Sequence, residues 1–445
     1  MTRQILPIAV LLMTAGLSAQ ESGSGSTYQP LSGVQRQTGT GADGLLTSSF
    51  HVAEILNFIA QPNHSSQSGQ NSLSNYRADT SVGGNFGYAM RTDGTDLRFR
   101  YSGGALFYNT PLYSSQNSTT GSHPINHNTS YHQLDIDDSI QLKRFVITWG
   151  DLFHYSPSQY SLGGAIPGIP GIGGQTGGLG FGNPGLLPGT SALTEGTTVL
   201  SNSTFAQVDY QINKRTTLTG TGAYGISRIP DFKQYNVNQT SVQAGVDYRF
   251  TGRTSMALTV DRSHSKYLGF PITTDITYGS VSVSHVFTRS LNVSASFGPQ
   301  VRDSTGLQSH FSFTGHASAN YVKARDHYHV FYSRRTNTGA LSQFGQDTDD
   351  LGAGWNRAMS RNWNLSVQAA LLHGKNIRTS RTTNSQQFGI HADRHIVQNV
   401  SGYVSYTFRH QNNPSPIGAP VLFNGKSNTL GFGLTYTPRA LRLKR

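Results

Sequence analysis

Two histidines in the sequence have the type and spacing of a possible metal pair. His327 and His329 flank Tyr328, so a strand would place both imidazoles on one face. A metal site needs further ligands, and the next residues on that face, Phe331 and Ser333, do not coordinate. We therefore predict ordinary histidines on a polar inner face or at its edge, and no bound metal.

Two acidic clusters could in principle bind Ca²⁺ or support hydrolysis. Asp135, Asp137 and Asp138 lie on one predicted strand, with Asp138 on its otherwise apolar face. A barrel enzyme would also need a nucleophile, a base and an orienting group, and no such spacing stands out. We predict solvated rim or loop residues, no cofactor and no enzyme. The second cluster, expected in a loop, consists of Asp347, Asp349 and Asp350.

Residues 156–189 are rich in glycine and proline, and the run at 177–182 resembles a phosphate-binding loop only superficially. Such loops need a preceding strand, a helix start after the glycines and, in the P-loop type, Lys followed by Ser or Thr. These features are lacking, and the prolines oppose a helix. We predict an external loop. An inward fold that narrows a pore stays open, because the segment's apolar residues prefer burial to water.

These residues are positioned by a repeating two-stranded unit, of which residues 241–262 are the clearest copy. Apolar and polar residues alternate on both arms, as Val246 beside Asp247 and Leu258 beside Thr259 illustrate. A period of two is the strand period, and Gly252 occupies the tight turn between the arms. Apolar residues toward lipid, polar residues toward a lumen and aromatics near the turn are typical of a transmembrane β-barrel.

Eight such hairpins follow one another between residues 82 and 408, and a last strand covers residues 430–436. Short, mostly basic turns alternate strictly with longer polar connections, as in barrels with short periplasmic turns and long extracellular loops. The longer connections are residues 109–129, 156–200, 229–238, 266–273, 302–306, 337–349, 374–385 and 411–427.

A counting argument gives the size of the barrel. Eight hairpins and a final strand make about 17 strands, whereas bacterial single-chain barrels have an even number. The only candidate for the missing strand is residues 44–60, whose apolar pattern fits neither period cleanly and also allows a short helix. We predict an all-β, antiparallel up-and-down barrel of about 18 strands, with 16 as the alternative.

Composition excludes several other classes of protein. The 445 residues include 50 glycines and no cysteine, so neither a disulfide scaffold nor a thiolate metal site is possible. No apolar run of the length of a membrane helix follows the N-terminal segment. The net charge of +12 is scattered singly or in pairs, which indicates a solvated rim and no nucleic-acid partner.

The N-terminal segment has the features of a secretory signal peptide. Arg3 precedes an apolar stretch, and Leu17, Ser18 and Ala19 offer a cleavage site. We predict a signal peptide at residues 1–19, a flexible leader at 20–43, the barrel at 44–437 and a basic tail at 438–445.

Together, the signal peptide and the repeated hairpins from about Ser48 to Tyr436 resemble the porin-like outer-membrane β-barrels of Gram-negative bacteria. Tyr436 resembles the aromatic residue that ends such barrels, although residues 438–445 follow it. The resemblance implies the outer membrane as location, its lipid and the barrel-assembly machinery as partners, and passive diffusion of small polar solutes. The alternatives are a structural or adhesive surface barrel and an outer-membrane hydrolase.

The charged residues expected on the inner face follow from the alternation of each strand. Both signs occur among them, with Ser, Thr, Gly, Asn and Gln between, which predicts a hydrated lumen. The predicted lumen-lining residues are Arg98, Arg100, Asp209, Asp247, Arg249, Asp261, His316, Arg335, His391, Asp393 and Arg409.

Overall fold

The computed structural model describes residues 44–61, 73–92, 94–108, 128–157, 198–338, 345–412 and 425–443. The predicted signal peptide and leader, and residues 158–189 of the glycine-rich segment, lie outside these ranges. The strands are β1 (Gly44–Gln61), β2 (Leu73–Arg91), β3 (Thr95–Tyr108), β4 (Thr129–Leu142), β5 (Phe145–Pro157), β6 (Thr198–Gln211), β7 (Thr216–Arg228), β8 (Val237–Arg249), β9 (Thr254–Tyr267), β10 (Thr273–Val286), β11 (Leu291–Ser304), β12 (His310–Lys323), β13 (Asp326–Asn337), β14 (Gln346–Ala358), β15 (Trp363–Asn376), β16 (Thr382–Val397), β17 (Val400–Asn412), β18 (Gly425–Tyr436) and β19 (Leu441–Leu443).

The strands form one closed, all-antiparallel sheet. Each of β1 to β18 pairs with its neighbours in the chain, and β18 pairs with β1, for example Tyr436 with Phe50. The short β19 continues this seam, with Leu441 opposite Leu46, so the predicted basic tail contributes three residues to the sheet. The wall therefore has 18 strands, which confirms the up-and-down barrel predicted from the hairpin count.

Residues 44–60, whose period was ambiguous, belong to β1 and form no helix. β1 is paired along both edges, to β2 on one side and to β18 and β19 on the other. This double pairing satisfies its backbone groups and fixes the strand, because tertiary pairing overrides a weak local pattern.

Burial is inverted relative to a soluble protein, as β8 shows. Val242 is 61% exposed, whereas Ser241 beside it is 2% exposed, and Gln243 and Asp247 are also buried. Exposed aliphatic residues alternate with covered polar ones because successive side chains point to opposite faces of a strand. The apolar face is therefore the outside of the barrel and the polar face is the inside.

Aromatic side chains gather on the outer face at the short-turn end. Several of them pack in pairs, such as Phe145 with Tyr210 at a centroid distance of 4.7 Å and Tyr321 with Tyr328 at 5.3 Å. An aromatic band at one edge of an apolar wall marks the level of a membrane interface. We call this band the aromatic girdle; its members are Phe145, Tyr210, Tyr248, Phe250, Phe287, Tyr321, Tyr328, Trp355, Trp363 and Tyr436.

The eight short turns are joined to one another by backbone hydrogen bonds. The last residue of each turn offers its carbonyl oxygen to an N–H near the end of the next hairpin, at distances of 2.7–3.0 Å. For example, the Gln211 N–H donates to the Arg144 carbonyl and the Val286 N–H to the Arg253 carbonyl. The turns are consequently linked in series from the first to the eighth rather than being separate loops.

One place in the wall is irregular. Pro299 lies inside β11 and has no N–H to donate, and the β10–β11 pairing is interrupted opposite it, at Gly279 and Ser280. Gly298 lets the two backbones come so close that a Cβ there would overlap the Gly279 carbonyl. Only glycine fits this approach.

The three acids that we expected in a loop lie in a strand. Asp347, Asp349 and Asp350 belong to β14, so the loop prediction is wrong for them. Arg302, which we assigned to a connection, likewise lies in β11. Within the described ranges, no helix combines the length and the apolarity that crossing a membrane would require.

Candidate functional site

The strand register places all eleven predicted lumen-lining residues on the face opposite the exposed aliphatic side chains. On β3 and β4 this face carries a ladder of opposite charges. Arg100 Nη2 lies 2.6 Å from Asp135 Oδ2, and Arg98 lies 3.1 Å from Asp96 and 3.8 Å from Asp137. Strand pairing sets Arg98 opposite Asp137 and Arg100 opposite Asp135, so the ladder is a direct consequence of the register.

Further acids lie on the inner faces of β6, β8 and β9. Asp209 accepts hydrogen bonds from Gln207, at 2.9 Å, and from Thr219 on the next strand. Asp247 and Asp261 are both buried, and Asp261 is fully covered. This sector of the inner wall is therefore acidic and closely packed.

The titratable residues on the inner faces of β12, β13, β16 and β17 are mainly histidine and arginine, among many Ser, Thr and Gln. His329 Nδ1 lies 2.8 Å from Asn320 Oδ1, and the His391 ring stacks on Tyr403 at 5.6 Å. His316 and Arg409 are buried. The remaining predicted inner residues are Arg335, whose Nη2 lies 3.4 Å from Asp350 Oδ2, Asp393, which lies 4.0 Å from His391, and Arg249, which is exposed at a strand end.

The β13–β14 hairpin leaves the wall near its long-loop end. β12 keeps its pairing with β11 up to His310, but its pairing with β13 stops at Gly315 and Arg334. The ends of β13 and β14, by contrast, stay paired to each other from Arg334 to Asn337. The two strand ends therefore move together, away from β12. We call residues 335–338 and 345–348 the inward end.

Contacts with β11 show that this end turns into the barrel. Gln300 and Arg302 lie on the inner face of β11, two strands away from β13, and are 2% and 7% exposed. Arg302 Nη1 donates to both Asp347 carboxylate oxygens, at 2.7 and 2.9 Å. Thr336 Oγ1 donates to Asp347 at 2.6 Å and accepts from Gln300 Nε2 at 2.6 Å. Charge-assisted bonds of this kind are among the stronger ones in proteins.

The inward end reaches even farther, to β9. Tyr267 Oη donates to the Thr338 carbonyl at 2.9 Å, and Ser265 Oγ lies 2.8 Å from Thr338 Oγ1. β9 and β13 are four strands apart in the wall, which is about 19 Å at the usual spacing. A direct contact over that separation requires the chain to cross part of the interior.

An apolar cluster supports this crossing on the β9 side. Tyr267 packs with Val199, Ile229, Tyr235 and Val237, all of them buried. Ile229 and Tyr235 come from the β7–β8 connection, where residues Pro230–Tyr235 form a 3₁₀ helix that covers the inner face. Burial raises the pKa of Tyr235, so its phenol stays neutral. The cluster is the sort of small core that holds a loop in place.

The β15–β16 turn braces the same region. The Ile377 N–H donates to the Gly345 carbonyl at 3.0 Å, and the Arg378 guanidinium donates to the Thr305 carbonyl beyond β11. Two connections therefore reach over the opening on the side of β9 to β11, and we call them, together with their partners on the wall, the constriction.

This constriction was missed by the sequence analysis. Arg302, Tyr267 and Asp347 were assigned to connections, and the partners lie 36 to 73 positions apart in the chain. Within the described ranges no three or more His, Asp or Glu side chains are grouped so that they could hold a metal ion, and the absence of a bound metal stays a prediction.

The chain matches no family model and no curated protein. Solved structures with a similar course of the chain include OccK7 (OpdD) of Pseudomonas aeruginosa, at 9% identity and a TM-score of 0.47, covering 90% of this chain and 99% of that one. OpdK of P. aeruginosa, solved with vanillate, gives 9% and 0.42, covering 89% and 99%. OccAB4 of Acinetobacter baumannii gives 6% and 0.41, covering 88% and 98%. These superpositions are too loose to carry an assignment of function, which rests on the chain's own geometry.

Proposed function

We propose that the protein is a porin-like channel of the outer membrane, through which small polar solutes diffuse passively. The observation that carries the proposal is the solvent exposure of two arginines on the inner face. Arg98 and Arg100 point into the barrel, yet their side chains are 46% and 48% exposed. Open space therefore lies beside them, as expected of an 18-stranded barrel too wide for side chains to fill.

The outer face supports the membrane placement. Its exposed residues are apolar along the wall, as Val260 illustrates, and aromatic side chains such as Phe145 gather at the short-turn end. Such a surface is unfavourable in water and favourable against lipid. In the proposed orientation the short turns face the periplasm and the long connections face outward. Residues 1–19 would direct export, and the barrel-assembly machinery would insert the chain.

The constriction supports selection for small and polar solutes. The inward end and its Arg302–Asp347 pair bring both charge signs and several hydroxyl groups into the opening. A polar solute replaces the water on these groups with hydrogen bonds of its own, whereas an apolar solute displaces that water and leaves the polar groups without partners. Passage rather than catalysis is the role that this geometry favours.

Single-channel recording tests the proposal. The full mature chain, refolded in detergent, is added to a planar lipid bilayer, and its folded state is checked by its gel mobility with and without heating. We expect discrete current steps in 1 M KCl. Folded protein that inserts and gives no steps would rule out an open channel and leave the structural or adhesive alternative.

A further inference from the structure

Cationic side chains are concentrated in the short turns. Six of the eight turns carry Lys or Arg between their strands, and all of these side chains are exposed. None forms an ion pair with a carboxylate of the described residues. In the sequence of the eight turns, Asp93 is the only acid. We call this set the basic ring; its members are Lys143, Arg144, Lys214, Arg215, Arg253, Arg289, Arg325 and Arg361.

The long connections differ in composition. In the sequence, residues 62–72, 109–127, 339–344 and 413–424 contain no Lys, Arg, Asp or Glu, and residues 158–197 contain only Glu195. Of the nine connections at this end, seven carry no Lys or Arg; the exceptions are the β7–β8 connection, with Lys233, and the β15–β16 connection, with Arg378 and Arg381. Cationic residues therefore recur from turn to turn at the short-turn end, whereas they are sparse in the long connections.

We propose that the basic ring binds the phosphate groups of the phospholipid leaflet that surrounds the short-turn end, and prefers anionic phospholipids there. The proposal goes beyond solute passage and rests only on the membrane placement given above. Lysine and arginine near a membrane surface are attracted to anionic lipid headgroups.

The distribution of the basic ring around the barrel indicates that its binding partner is lipid rather than a single macromolecule. Its members lie in six turns between β4 and β15, around most of the circumference. A docked protein would touch one sector, whereas a leaflet contacts the barrel on every side. The order along the outer wall points the same way, because the basic ring lies directly beyond the aromatic girdle, at the level of the headgroups.

The ring is also preorganised. Each turn is tied to the next hairpin by the backbone hydrogen bonds described above, and the carbonyls of Arg144, Arg215, Arg253 and Arg325 take part. Only the side chains of the ring therefore need to become ordered when they bind phosphate, which reduces the entropic cost of binding.

The three tryptophans of the chain supply a built-in probe. Trp149 and Trp363 are 41% and 43% exposed on the outer face, and Trp355 lies on the same face. All three lie within a few residues of a short turn, in β5, β14 and β15. Quenching of their fluorescence by lipids with brominated chains therefore reports the lipid composition beside the basic ring.

The test compares two lipids in vesicles at low salt. One set holds brominated phosphatidylglycerol in ordinary phosphatidylcholine, and the other holds brominated phosphatidylcholine in ordinary phosphatidylglycerol, at equal mole fractions. We expect phosphatidylglycerol to be enriched about threefold beside the unaltered chain. The enrichment should fall toward one in 1 M salt, where the screening length is only about 3 Å.

Two matched variants locate the effect. The turn variant combines K143Q, R215Q, R289Q and R361Q, and should lose most of the enrichment. The loop variant combines K233Q, K266Q, K375Q and K426Q, removes the same charge from exposed positions at the other end, and should keep it. Equal enrichment in both variants would overturn the proposal.

Two further outcomes complete the test. If the turn variant does not fold, the salt titration of the unaltered chain tests the proposal instead. Enrichment of phosphatidylglycerol that salt does not change would refute binding by the basic ring. Absence of enrichment, together with binding of purified cell-wall polymer that the turn variant loses, would assign the ring to a cell-wall partner and also refute the proposal. A chain without conductance that still enriches phosphatidylglycerol supports it independently of the channel.

Discussion

The two ends of the barrel are built on different principles. At the short-turn end, every turn is brief and linked by backbone to the next hairpin, and most turns are cationic. At the long-loop end, the connections are longer and carry little charge in sequence, and the β13–β14 hairpin leaves the wall to contact β9 and β11. Backbone hydrogen bonds therefore hold the short-turn end together, whereas side-chain hydrogen bonds hold the long-loop end together. Substitutions should therefore act differently at the two ends.

The largest expected effect on the free energy of unfolding comes from adding a Cβ to a closely packed glycine of the wall, compared with a glycine in a short turn. Gly298→Ala places a Cβ against the Gly279 carbonyl in the wall that supports Gln300 and Arg302, and backbone cannot easily give way. We expect a loss of about 3 kcal/mol in the free energy of unfolding, measured by urea titration in lipid vesicles. Gly252→Ala, in a short turn with open space around it, is the control and should change stability by about 0.5 kcal/mol or less. Similar losses at both sites would contradict the comparison.

The next largest effect concerns the ion pair between Arg302 and Asp347 at the long-loop end. Arg302→Ala removes the hydrogen bonds to Asp347 and should weaken the inward end by about 2 kcal/mol. Single-channel conductance should then rise and become noisier. Arg334→Ala is the matched control, because Arg334 pairs with Asp349 at 3.5 Å on the outer face. An unchanged conductance in Arg302→Ala would show that the Arg302–Asp347 ion pair does not restrict the opening.

A smaller effect is expected at the far contact of the inward end. Tyr267→Phe keeps the ring in its apolar cluster but removes the donor to the Thr338 carbonyl, at a cost of about 1 kcal/mol. Transitions between conductance levels should become more frequent without a change in the main level. Tyr332→Phe, which loses a hydrogen bond to Asp349 outside the lumen, should leave the recordings as they are.

The smallest effect belongs to the short-turn end. The Arg394 guanidinium lies 5.2 Å from the Trp363 ring centre, a cation–π contact worth about 0.5 kcal/mol at an exposed site. Arg394→Gln should lower the free energy of unfolding by that amount in zwitterionic lipid. Arg361→Gln, a neighbouring substitution in a turn, should not. If Arg394→Gln lowered the free energy of unfolding several times more than this, side-chain contacts would also be needed to hold the short-turn end together.

The wall could be predicted from sequence because its signals are local. Alternation such as that of Val246 and Asp247 repeats in every hairpin, and a turn residue such as Gly252 marks each change of direction. Even β1, with a poor pattern of its own, followed from the requirement that the strand number be even. The same alternation gave the side of the wall on which each charged residue lies.

The constriction could not be predicted, because its contacts are not periodic. Gln300 meets Thr336 and Tyr267 meets Thr338 across the interior, at separations that no local pattern reports. Asp347 and its acidic neighbours also have low strand propensity, which argued for a loop. In the folded chain Arg302 and the pairing of β13 with β14 compensate for that propensity.

The seam between β1 and β18 has a consequence for how the chain folds. Asn57 and Thr429 meet there through a hydrogen bond although they are 372 positions apart. Until β18 pairs with β1, both edges of the growing sheet present unpaired backbone groups, which are templates for pairing with other chains. Closing so distant a contact is slow and entropically costly. Incompletely folded chains should therefore associate through these two edges. A catalyst that shields the edges from other chains and brings them together would speed folding more than one that stabilises any single hairpin.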